Sequence, residues 1–341
     1  MNTNIARAAL PVVALLISDE LQQRLFTFSA QEQLASFATV IQFPDGQPDE
    51  KVLVSLLEQA DVCITSWDTP PLPTEFFKRS THLRLIAHTA GTIRHLLPPD
   101  VFEQGIRVTH ASAALAEAVA EFTVLQALLC LTQLHTLDQQ MKTGSSWHTL
   151  REEPTGHLLS AQIVGIVGAS HVGREVIKRL RPFGCHIVVY DPYLTQNDAD
   201  ALGVESLDLD TLFSVADIVS LHAPLLPETY EMIGSAHLAR LRDGAILLNT
   251  ARAHLVEEDA LIQELQTGRI QAALDVFHEE PLSEENPLRH LPNVLLSPHV
   301  AALTYETLFN QGQMIVDEVQ RFLANEPLRY EILREKLSTM A

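Results

Sequence analysis

Short apolar runs alternate with helix-like segments along most of this chain, and that alternation restricts the fold more than any other feature. A first series of strand-like runs covers residues 12–17, 62–65, 85–87 and 107–109, with helical patterns at 32–37 and 51–59 between them. A second series covers 162–167, 186–190, 218–221, 245–248, 272–274 and 294–296. Strands joined by connections of helical length pair in parallel, with helices on both faces of the sheet. Between the two series, residues 113–141 are rich in Ala, Leu and Val and contain neither Pro nor Gly, which predicts one long helix ended by Gly144-Ser145-Ser146. A further helix, 304–323, follows the last strand and can return to the first series. The expectation is an α/β chain of two units, the first a small doubly wound one to which the last helix can return.

Composition narrows the function classes. The chain has 341 residues, a length that suits two ordinary units, and 46% of them are hydrophobic, enough for two sizeable cores. Its formal net charge of −20 opposes binding to nucleic acid or to an anionic membrane surface. No run reaches the ~18 uninterrupted apolar residues of a membrane span. Arg7 followed by mostly apolar residues 8–17 has the look of a weak signal peptide. However, Ser18-Asp19-Glu20 follows at once without a small-x-small cleavage site, so a first strand is the better reading. Cys63, Cys130 and Cys185 lie in apolar surroundings without a CxxC pair, as expected of buried, reduced thiols in a cytoplasmic protein. No spacing suggests a metal site.

Gly165-Ile166-Val167-Gly168-Ala169-Ser170-His171-Val172-Gly173 follows a strand and opens a helix. The dinucleotide-binding pattern G-x-G-x-x-G places a pyrophosphate at the positive end of such a helix. Gly168 and Gly173 stand as the first and third glycines; Ser170 replaces the second, and its hydroxyl is expected either to donate to a phosphate oxygen or to move the cofactor outward. Asp191 stands eighteen residues after Gly173, at the end of the run 187–190. An acid there accepts from ribose hydroxyls and repels a 2′-phosphate. No Lys or Arg lies between Tyr190 and Glu205. NAD is therefore expected in preference to NADP. The alternative for Asp191 is a turn-forming residue before Pro192.

Three further residues end strand-like runs. Arg252 closes Asn249-Thr250-Ala251-Arg252, Glu280 sits in Asp275-Val276-Phe277-His278-Glu279-Glu280-Pro281, and His299 ends Leu296-Ser297-Pro298-His299. A guanidinium fork can hold the carboxylate and carbonyl of a 2-keto acid, a geometry that Lys cannot copy. An imidazole titrates near ~6.5 and can exchange a proton at neutral pH. A carboxylate on its other nitrogen orients it.

On these phrases the chain resembles the D-isomer-specific 2-hydroxyacid dehydrogenase family. Ala216-Asp217-Ile218-Val219-Ser220-Leu221-His222-Ala223-Pro224, Leu274-Asp275-Val276-Phe277, Glu280-Pro281-Leu282, Ser297-Pro298-His299 and Val119-Ala120-Glu121 carry the match, which is strong from about residue 165 to 306. The resemblance implies a Rossmann NAD-binding domain, 113–303, inserted into a flavodoxin-like substrate domain made of 1–112 and 304–341. It implies hydride transfer between NAD(H) and a small 2-keto or D-2-hydroxy acid, with Arg252, Glu280 and His299 catalytic. Gly168, Ser170, His171, Val172, Asp191 and Arg252 would hold the cofactor, with His222, Ala223, Pro224 and Thr250 lining its face. Asp275 would accept from the nicotinamide carboxamide or serve structurally beside the site. Backbone amides of Ala90, Gly91 and Thr92, in the loop ending at His95, would bind the substrate carboxylate beside Arg252 and His299. Arg94 would reach a second polar group of the substrate or make a surface ion pair. A homodimer through residues 113–141 is the implied assembly. A non-catalytic NAD sensor on the same scaffold is the alternative, motivated by Ser170 and the unusual substrate loop. A formate-dehydrogenase-like reading is weaker, because Glu280 supplies the acid those enzymes lack.

Overall fold

The computed structural model describes residues 10–72, 74–94, 96–152 and 155–337. Arg7 and the start of the signal-like stretch, His95, and the end of the returning segment lie outside these residues. The chain divides into two compact units, one formed by the residues through Leu115 together with those from Leu303 onward, the other by Ala116–Ala302.

In the first unit, β1 (Val12–Leu15), β2 (Thr39–Gln42), β3 (Val62–Thr65), β4 (Leu85–His88) and β5 (Arg107–His110) lie in the order β2-β1-β3-β4-β5, all parallel. This is the flavodoxin-like order. In the second unit, β6 (Ile163–Val167), β7 (His186–Tyr190), β8 (Glu205–Ser206), β9 (Ile218–Leu221), β10 (Ile246–Asn249), β11 (Gln271–Leu274) and β12 (Val294–Leu296) lie in the order β8-β7-β6-β9-β10-β11-β12, again all parallel. The chain adds strands on one side of β6 as far as β8 and then crosses to β9. That reversal is the switch point at which open α/β sheets leave a crevice beyond their carboxyl ends. The short β13 (Glu331–Ile332) pairs antiparallel with β5 in the first unit.

Each sheet is covered on both faces because its strands are apolar on both faces. Val13 and Leu15 enter one core of the first unit while Ala14 and Leu16 enter the other. Val164 and Ile166 likewise separate from Gly165 and Val167, and Leu247 from Ile246 and Leu248. Three strands escaped the sequence reading for a physical reason: β2 is an edge strand without a fully buried residue, and β8 and β13 have only two residues each.

The single helix expected over 113–141 is two helices, Ser112–Thr132 and Leu134–Lys142. Gln133 breaks it with a φ of 51°. The cause lies elsewhere in the chain, since the Leu131 carbonyl, which a continuous helix would use internally, accepts the His157 N–H at 3.0 Å. Gly156 packs directly on Leu131 and Thr132. Ser112–Thr132 is long and apolar enough, by length and composition alone, to cross a membrane, and half of that stretch is buried inside the fold. Counting uninterrupted apolar residues misses it because Glu117, Glu121 and Gln126 interrupt the run.

Candidate active site

In the second unit β10, β11 and β12 lie side by side, and the segments leaving their carboxyl ends carry Arg252, Asp275, Glu280 and His299. Asn249, the last residue of β10, closes the turn to Arg252: its Nδ2 donates to the Arg252 carbonyl at 2.9 Å and its Oδ1 accepts from the Ala251 amide at 3.1 Å. Arg252 Nη1 donates to the Ala251 carbonyl at 2.7 Å. Burial pushes the pKa of this guanidinium down and the Glu280 carboxylate pulls it back up. The group stays charged at any working pH.

His299 Nδ1 and Glu280 Oε2 are 2.8 Å apart, and Glu280 Oε1 accepts the Phe277 amide at 3.0 Å. Burial works to raise the Glu280 pKa. Hydrogen bonds from His299 and from the Phe277 amide, with the charges of His299 and Arg252, outweigh it and hold the carboxyl below its usual range. Glu280 thus senses both other members of the trio. The imidazole is half exposed.

Asp275 fixes the His299 segment. It is 0% exposed; its Oδ1 accepts from Ser297 Oγ at 2.6 Å and from the Val300 amide at 3.0 Å, and its Oδ2 accepts from the Ala301 amide at 2.9 Å. Three of the roughly four lone-pair sites of a carboxylate are thereby used. These bonds fit the structural role expected for Asp275 and leave one lone-pair site for the other. His299, between these anchors, has a φ of 54°. A side chain in the left-handed region is costly unless its surroundings hold it there.

The turn after β6 fits a dinucleotide. Gly168 has a φ of 96°, and a Cβ there would stand 2.6 Å from the Ala223 backbone nitrogen. A Cβ on Gly173 would run into the Gly168 carbonyl oxygen. The helix His171–Leu180 therefore starts close against the loop after β9, with His171 and Val172 in its first turn. Ser170 is the N-cap. Its hydroxyl accepts the Gly173 amide at 3.3 Å and donates to the His222 carbonyl at 2.9 Å. This corrects the expected donation to phosphate, because the one hydroxyl proton is already committed. Asp191 is the turn former expected of it, with Oδ1 accepting the Tyr193 amide at 2.8 Å, and its Oδ2 accepts the Ala169 amide at 2.7 Å. Its remaining lone pairs are available to ribose hydroxyls. After β9, His222 is buried, with Nε2 2.8 Å from Ser220 Oγ and no partner for Nδ1 among the described residues. Burial pushes its pKa down to about 3, so the ring is neutral. Ala223 and Thr250 are buried and Pro224 half-buried.

Ala90, Gly91, Thr92 and Arg94 belong to the first unit, in the loop after β4. The Ala90 carbonyl accepts the Ala111 amide at 3.2 Å, and the Gly91 carbonyl lies 3.0 Å from His110 Nδ1. Thr92 is half-buried and Arg94 exposed. Among the described residues no group of three or more His, Cys, Asp or Glu side chains is arranged to hold a metal ion.

Asn249 and Ser297 were quoted in the sequence phrases without a role. A signal for Asn249 was present, an Asn at a strand end where its side chain can close a turn. Ser297 carried none, since its contact with Asp275 spans 22 residues.

Residues 124–301 match the family model described as the D-isomer-specific 2-hydroxyacid dehydrogenase NAD-binding domain. A glyoxylate reductase of Korarchaeum cryptofilum is 32% identical over 83% of this chain and 85% of its own length. A hydroxypyruvate reductase of Thermotoga maritima is 32% identical over 78% of this chain and 86% of its own. The chain spans about half the length of the D-3-phosphoglycerate dehydrogenases it also matches. Among solved structures, a protein of Pyrococcus horikoshii is 27% identical, covers 96% of both chains and superposes with a TM-score of 0.79. The chain belongs to the D-isomer-specific 2-hydroxyacid dehydrogenase family and is an NAD-dependent oxidoreductase.

Proposed function

We propose that this protein reduces a small 2-keto acid, of the size of glyoxylate or hydroxypyruvate, to the D-2-hydroxy acid with NADH. The observation that carries the reading is the 2.8 Å contact of His299 Nδ1 with Glu280, beside an Arg252 whose charge the same carboxylate feels. With Nδ1 engaged, His299 Nε2 is the ring nitrogen left to give a proton to the carbonyl oxygen, and to take it back in the reverse direction. Arg252 binds the substrate carboxylate through its fork and steadies negative charge on the carbonyl oxygen. When bound, NADH supplies the hydride. Gly168, Ser170, His171 and Val172 would receive its pyrophosphate, and Asp191 its adenosine ribose; Asp191, with no Lys or Arg before Glu205, favours NADH over NADPH. The amides of Ala90, Gly91 and Thr92 would assist with the substrate carboxylate, and Arg94 with any second polar group.

A second copy of the chain is the proposed partner. Leu125, Leu134, Met141, Trp147 and Leu158 are exposed large apolar side chains on and after the Ser112–Thr132 helix, a surface suited to a homodimer. The reduced thiols fit the cytoplasm.

The test is NADH oxidation followed by absorbance over a panel of 2-keto acids. The expected result is turnover of at least one small keto acid, a preference for NADH over NADPH, and at least about 100-fold loss in His299→Asn. NADH binding without turnover of any panel member would instead support a cofactor sensor.

A further inference from the structure

The helix Ser112–Thr132 buries a stripe of small or apolar residues that includes Ala120, Ala127, Cys130 and Leu131. Thr123 and Gln126 interrupt it, each 1% exposed. A buried polar group is unfavourable unless it is hydrogen-bonded. Gln126 meets that condition only in part, since its Oε1 has no partner among the described residues. A leucine would fill the same space without that cost.

What the two residues do touch is informative. Thr123 donates its hydroxyl proton to the Val119 carbonyl at 2.7 Å, so across the 3.0 Å contact with Thr250 Oγ1 it is Thr250 that donates. Thr250 stands two residues before Arg252. Gln126 Nε2 donates to Ser297 Oγ at 3.4 Å, and Ser297 Oγ passes its own proton to Asp275 at 2.6 Å. Ser297 stands two residues before His299. One turn of one helix is thus fastened to the segments leaving β10 and β12. Between them Asp275, just past β11, ties the chain on both sides of His299.

We propose that Thr123 and Gln126 are positioning residues that hold the Arg252 and His299 segments in mutual register for proton transfer. Neither touches the substrate; each acts through a hydroxyl two residues upstream of the group it positions. The inference rests on the assignment of Arg252 and His299 as the substrate-binding and proton-transferring groups. Displacement of a proton donor by a fraction of an ångström lowers kcat while leaving cofactor binding alone.

The experiment compares the wild type with Thr123→Val/Gln126→Leu, Thr123→Ser and His299→Asn. Readouts are glyoxylate or hydroxypyruvate reduction, thermal melting, and histidine side-chain NMR of the cofactor-free protein. The double variant is expected to melt within about 5 °C of wild type, because Gln126→Leu removes an unpartnered Oε1 while Thr123→Val leaves the Thr250 hydroxyl without its acceptor. Its kcat falls about tenfold with KM for NADH within about twofold, and the primary isotope effect with deuterated NADH rises. Without cofactor, the imidazole signal that vanishes in His299→Asn moves in the double variant. Thr123→Ser, which keeps the hydroxyl, stays within about twofold of wild-type kcat. Gln126→Leu alone, which leaves Ser297 bonded to Asp275, supplies the reading if the double variant does not fold. Wild-type kcat with an unmoved imidazole signal overturns the positioning role, as does a loss of kcat that only tracks a loss of melting temperature. If His299→Asn keeps its activity, it is the underlying assignment that fails. An inactive His299→Asn beside a wild-type-like double variant removes the positioning role alone.

Discussion

Arg252 combines two features that are rarely found together on one surface residue. Its backbone is closed into a turn by Asn249, and its guanidinium is drawn far enough from water for burial to push its pKa down. An exposed arginine making an ordinary ion pair would show neither. A lysine at this position keeps the positive charge and loses the planar fork, so the two separate cleanly by substitution. Arg252→Lys is expected to lower kcat/KM for the keto acid by about 100-fold, the size of effect seen when a donor to a developing oxyanion is removed. NADH affinity, read by quenching of protein fluorescence, is expected to change little. Equal losses in both would show that the residue serves the cofactor site and not the substrate.

At the scale of elements, the parts legible in the sequence were those written in local pattern. The runs at 62–65, 186–190 and 218–221 coincide with β3, β7 and β9, because buried parallel strands are nearly continuous apolar runs, and the run at 294–296 coincides with β12, an edge strand that is only half-buried but apolar at all three positions. The phrases holding Arg252, Glu280 and His299 were legible because each follows such a strand. What was not legible depended on distant partners: the break at Gln133, set by the Leu131 carbonyl bonding to His157; the duty of Asp275, set by donors 22 to 26 residues away; and the use of the Ser170 hydroxyl by His222. The turn after β6 shows the same division. Its glycines are visible as a motif, but only the fold shows that Gly168 lies against the backbone of Ala223. Because that neighbour is backbone and φ is positive, Gly168→Ala cannot be relieved by moving a side chain. We expect it to lower the melting temperature by roughly 5 °C and to weaken NADH binding, measured by calorimetry. Gly105→Ala, with a φ of 74° but nothing within 4 Å, is the control and should cost less.

For the molecule as a whole, two electrostatic effects oppose each other as the solution is acidified. At neutral pH the chain carries a formal charge of −20, and lowering the pH relieves that repulsion. Working the other way, His222 is held neutral with its pKa pushed down to about 3, and Glu280 and Glu175 are held below the usual carboxylate range. The unfolded chain protonates His222 near its ordinary ~6.5, while the folded chain refuses the proton until near the depressed value. More protons are then bound to the unfolded state throughout that window, so stability falls as pH falls, by up to about 1.4 kcal/mol per pH unit. The carboxylates add a second loss only as the pH drops below their ordinary range and through their folded values. Salt separates the terms, because repulsion among exposed charges is screened within about 10 Å at 0.1 M while the desolvation of a buried ring is not. In 0.5 M salt the melting temperature is therefore expected to fall steadily from pH 6.5 to 5. His222→Gln, which has no proton to take up, should flatten that fall whatever it does to the melting temperature at pH 7. An identical slope in the variant would mean that His222 is protonated in the folded protein, with its ring reached by water.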